Sequence, residues 1–164
     1  MSNSRIAFSG PGYATPETIQ NLLNDYLGLG PQGVEGFLVP TDHDIELIFP
    51  LREKYLGAGV LNVLAWAKST GLPFTAITDK NETSNMVANL AREAHEVLPV
   101  TNVNVKVVEM LAAATGVGVL ILLWDEGEDA GDEESEILLD LAATKGIKAV
   151  DLTAGLCDIV FAED

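Results

Sequence analysis

The sequence predicts an α/β domain of three layers, with helices covering both faces of a mostly parallel central sheet. Three observations predict it. Short β-branched and aromatic runs alternate with longer runs at helical spacing, the pattern of strand–helix–strand units. Residues 118–124 are apolar without a break, as a strand buried on both faces requires. The length of 164 residues suits one domain, 1–164, that buries about 70% of the surface its unfolded chain exposes.

The first strand is expected over residues 5–9. A helix then opens with Thr15 as cap, Pro16 at its first position and Glu17 in its positive first turn. Ile19, Leu22, Leu23, Tyr26 and Leu27 repeat at helical spacing, and Gly28 or Gly30 ends the run. Residues 34–39 read as the second strand. In 41–59, Pro50 argues against one continuous helix and favours a short helical piece or a loop. Residues 60–69 are helical, with Leu61, Leu64, Ala65 and Lys68 on one side and Gly71 as the stop. A strand over 74–78 leads through Asp79, Lys80 and Asn81 into a helix over 83–96, which buries Met86, Val87, Leu90, Ala91 and Ala94.

Residues 97–100 make a short strand, and Thr101 or Asn102 caps a helix running to Ala114. Val103, Val105, Val107 and Val108 also permit a strand there. The apolar run 118–124 is the central strand. Asp132 caps the last helix, which buries Ile137, Leu138, Leu141 and Ala142 and stops at Gly146. Strands over 148–152 and, at the edge, 157–161 complete the pattern.

The net charge is −16, and residues 125–136 hold eight of the acidic groups with no basic one. Nine scattered lysines and arginines make no basic surface, which excludes nucleic acid as a partner. The longest uncharged stretch, 110–124, falls short of the roughly 20 residues of a membrane helix, and no secretory leader pattern opens the chain. Cys157 is the single cysteine, so no internal disulfide forms. A core position for it and a cytoplasmic location are expected. With 48% apolar residues, a homo-oligomer is expected as well.

The best candidate ligand site is the loop after the first strand: Ser9, Gly10, Pro11, Gly12, Tyr13, Ala14 and Thr15. Its glycines let a ligand approach the backbone, and the helix behind offers free N–H groups to an anion. The alternative is a tight turn before a well-capped helix. Asp42, His43 and Asp44 place two carboxylates around an imidazole, fit to bind a divalent metal, for acid–base work, or simply for a solvated turn. Thr78 and Asp79 follow a strand directly. Asp125 ends the central strand, where a carboxylate can meet a ribose or a metal. Asp42, Asp79 and Asp125 are therefore the candidate catalytic bases. His95 and the acidic run behind Asp125 read as structural or solvated. The dinucleotide fingerprint, the P-loop and the EF-hand spacing are all absent. No metal site or cofactor motif is evident; magnesium would arrive only with a phosphorylated ligand.

Ser9-Gly10-Pro11-Gly12 with a helix capped at Thr15 resembles the opening of SLOG-type Rossmann-like proteins, the superfamily of the DprA and LOG branches. The run Leu120 to Asp125, a polar loop and the helix leading to Ala149-Val150 are similar to its closing unit. The resemblance implies a Rossmann-like domain that binds a nucleotide, nucleotide-sugar or related phosphorylated ligand, and a hydrolase or glycosidase acting on nucleotides. The Pro-Gly-Gly-x-Gly-Thr-x-x-Glu motif of the phosphoribohydrolase branch is missing, so no catalytic glutamate transfers. A second reading is a non-catalytic acidic interaction or assembly protein, such as a viral accessory protein, that reuses the fold.

Overall fold

Seven strands form one sheet in the computed structural model, which describes residues 3–9, 44–52, 58–70, 73–116, 118–124, 133–153 and 156–160. They are β1 (Asn3–Ser9), β2 (Asp44–Leu51), β3 (Phe74–Asp79), β4 (Glu96–Val100), β5 (Gly118–Trp124), β6 (Lys148–Thr153) and β7 (Leu156–Val160). Their spatial order is β4-β3-β2-β1-β5-β6-β7. Every pairing is parallel except β6 with β7, so the sheet is mostly parallel, as expected. Four helices are described: α1 (Ala58–Thr70), α2 (Asn85–Ala91), α3 (Val103–Ala112) and α4 (Glu133–Thr144). None is long and apolar enough to cross a membrane.

Strand alternation divides the core into two halves. Ile6, Phe8, Leu47, Phe49, Phe74 and Ala76 turn to one face, where α1 contributes Val60, Val63, Leu64 and Ala67, and α2 contributes Val87 and Ala91. Ala7, Ile48, Ile77, Leu120 and Leu122 turn to the other, under α3 and α4. The chain moves outward from β2 to β4 and then jumps back past β1 to β5. Right-handed crossovers in opposite directions put the helices on opposite faces. Phe8 stacks on Phe49 at 5.5 Å between centroids, and Phe74 meets Phe49 edge-on at 5.5 Å, so the rings tie the first three strands together.

Several expectations change. The segment read as loop or short helix around Pro50 contains β2. Its Leu47, Ile48 and Phe49 are buried, the strand lies between β1 and β3, and Pro50 falls near the strand end, where a ladder bond can be missed. Four valines do not make α3 a strand. Asn102 caps it by accepting from the Val105 N–H at 3.1 Å, and Val103, Val107 and Leu111 stack inward at i, i+4, i+8.

The helix expected over 83–96 is only α2. Two inward residues, Val87 and Ala91, define its stripe and leave Met86 exposed. Beyond it the chain turns tightly, so His95 is off the helix, its N–H donating to the Phe74 carbonyl at 2.8 Å. On α4, Leu138 and Ala142 point inward and Ile137 is exposed. On α1, Ala65 and Lys68 are exposed, while Val63 and Ala67 join Val60 and Leu64 in the buried stripe. The helix expected after Thr15, the strand over 34–39 and the Asp132 cap lie outside the described residues.

The candidate site at the strand switch

Strand order reverses beside β1. The chain leaves β1 toward β2, β3 and β4 on one side, and β5 and β6 lie on the other. In an open parallel sheet this reversal leaves a crevice beyond the carboxyl ends of the two strands that flank it, because their following loops diverge to opposite faces. Those strands are β1 and β5. Ser9, half-buried, is the last residue of β1 and registers with Leu122, two residues before β5 ends at Trp124. The carboxyl ends of β1 and β5, at Ser9 and Trp124, therefore belong to adjacent strands.

Pro50 adds a local opening. The Leu47 N–H donates to the Pro73 carbonyl on the β3 side at 3.3 Å, so alternation turns the backbone of Ile48 and Pro50 toward β1. Proline has no N–H to give. Pairing of β1 with β2 accordingly stops at Ala7↔Ile48, while β2 and β3 remain in register to Leu51↔Thr78. Phe8 and Ser9 register with β5 alone. The end of β1 thus lacks pairing on its β2 side, at the strand switch.

Arg52 follows β2 on this same rim and was missed in the sequence. Its Nη2 lies 3.4 Å from Oδ1 of Asn104, a buried residue in the first turn of α3. Arg52 is a cation directly after the strand next to β1 in a chain with net charge −16. The signal available was an arginine directly after a β-rich run, obscured by reading 41–59 as irregular.

Thr78 and Asp79 stand at the end of β3, with β2 between them and β1, roughly 10 Å across two strand spacings. Asp79 builds its own turn: Oδ1 accepts from the Asn81 N–H at 2.8 Å, and its carbonyl accepts from the Glu82 N–H at 2.9 Å. The Lys80 N–H donates to the Val100 carbonyl at 2.9 Å, binding this loop to β4. Ser84 then caps α2 through the Val87 N–H at 3.4 Å. Thr78 is buried, and its side chain shares the Ala76 face, under α1 and α2.

Gly10, Pro11, Gly12, Tyr13, Thr15, Asp42, His43 and Asp125 lie outside the described residues, as does the acidic run after Asp125. Asp44 opens β2 at the far end from the crevice, in register with Asn3. Among the described residues no three His, Cys, Asp or Glu side chains converge as a metal site would require. Compared with protein-family models, curated proteins and solved structures, the chain matches none.

Proposed function

We propose that this chain binds a nucleotide, a nucleotide-sugar or a related phosphorylated small molecule where β1 and β5 end. The observation that supports the reading is the strand order: β1 and β5, which end at Ser9 and Trp124 just before the glycine-rich and acidic segments of the sequence, are neighbours at the switch point. Glycines ahead of a segment whose sequence is expected to open a helix suit a phosphate, and Arg52 adds a cation one strand away. A hydrolytic step would draw its base from Asp42, Asp79 or Asp125. Asp79 is the least suited, two strands off with Oδ1 committed to the Asn81 N–H.

The test is a thermal-shift panel of nucleoside mono-, di- and triphosphates, nucleotide-sugars and phosphosugars, each with and without magnesium. One class is expected to raise Tm by several degrees, since a ligand at 100 times its Kd stabilises by about 2.7 kcal/mol. A flat response across the whole panel overturns the reading.

A further inference from the structure

The sheet ends at β4 on one side, and Glu96, Val97 and Pro99 of that strand are exposed, Val97 by 41%. An open strand edge is a template for a further strand from another molecule, and natural edges are blunted by lysine, proline or a bulge. β4 carries no lysine, and its one charge, Glu96, stands at its start. The rest, Val97-Leu98-Pro99-Val100, is apolar.

The register identifies which backbone groups of β4 are free. The Lys80 N–H donates to the Val100 carbonyl at 2.9 Å, and Asp79 registers with Val100. Alternation then turns the backbones of Glu96, Leu98 and Val100 to β3 and those of Val97 and Pro99 outward. His95, one residue before the strand, gives its N–H inward to the Phe74 carbonyl. Within β4 the open edge therefore offers the carbonyls of Val97 and Pro99 but a single N–H, that of Val97. Pro99 takes one of the two outward positions, where it costs the native ladder nothing, unlike Pro50, which faces β1.

We infer that Pro99 holds this edge shut against a second copy of the chain. A second β4 brings the same apolar run, and two copies related by a two-fold axis pair through the same patch. A strand laid along β4 meets one donor instead of two, and its carbonyl opposite Pro99 is desolvated without a partner. In a two-fold pairing that loss counts twice.

The test restores the missing N–H. Pro99→Val and, with less bulk, Pro99→Ala are compared with the full wild-type chain by sedimentation velocity and amide hydrogen exchange across a range of concentrations. Position 99 makes no ladder bond to β3, so neither variant disturbs the native sheet. In the wild type the Val97 amide is expected to exchange as an unpaired group at every concentration. In both variants self-association is expected to strengthen at least about tenfold, with the Val97 amide protected in step with it. Adding Val97→Pro to Pro99→Val removes the other outward N–H and should return the mass to that of the wild type. A Val97 amide already protected in the wild type, unchanged association in both single variants, or association that survives Val97→Pro overturns the proposal.

Discussion

At Arg5, one guanidinium serves two layers of the molecule. Its Nη1 donates to the Met110 carbonyl at 2.8 Å, in the last turn of α3, where a cation also opposes the negative helix end. Its Nε lies 3.0 Å from Glu46 Oε1 but without hydrogen-bond alignment, so that contact is chiefly Coulombic. Thr75, fully buried, donates to Glu46 Oε2 at 3.2 Å. The cluster sits toward the amino ends of the strands, away from the crevice, and its role is structural. Arg5→Met leaves Glu46 short of its counter-charge, and both side chains are about a quarter exposed (24% and 23%). A loss of about 1–2 kcal/mol is expected in urea unfolding, with the Arg5→Met/Glu46→Leu double variant recovering most of it. Equal losses in the single and double variants would contradict this account. No sequence rule reveals the cluster, because Arg5 and Met110 are 105 residues apart.

Element ends were legible where their chemistry is local. Gly146 was expected to stop the last helix, and it does so at φ +69°. Its N–H donates to the Ala143 carbonyl at 3.1 Å and the Ile147 N–H to Ala142 at 2.9 Å, the paired bonds of a Schellman turn. Ile147 is buried behind it. Gly146→Ala has room for its Cβ, so its cost is conformational: about 1 kcal/mol lost in thermal or urea unfolding. Asn102, one of the two residues expected to cap α3, does so through a side chain that reaches three residues ahead; Ser84 caps α2 in the same way, one residue after the expected helix start at 83. The length of α2 and the exposure of Met86 and Ile137 were not legible. Each depends on where the partner strand lies, and helical spacing alone leaves the stripe free to rotate by a residue. Pro50 misled for a related reason. A proline is excluded from strands only where its neighbour needs the N–H, and β1 stops pairing before that point.

The charge belongs to the whole molecule. A net −16 repels itself in the folded state more than in the expanded one, and half of it is concentrated in 125–136. Raising sodium chloride from about 0.05 to about 0.5 M shortens the Debye length from roughly 14 to 4 Å and should raise Tm. A constant or falling Tm would show that favourable ion pairs such as Lys68–Glu93, 2.6 Å apart, outweigh the repulsion.

By itself the sequence determined the α/β class, the unbroken core strand at 118–124, the helix stop at Gly146, a cap for α3 at Thr101 or Asn102, and the net charge of −16. These follow from periodicity, composition and contacts within a few residues. Only the tertiary structure decided that β1 and β5 are neighbours, that Thr78 stands two strands away from Ser9, and that Arg52 follows the strand next to β1. Strand order is set by how crossovers pack helices on the two faces, a long-range competition that residues adjacent in sequence do not encode.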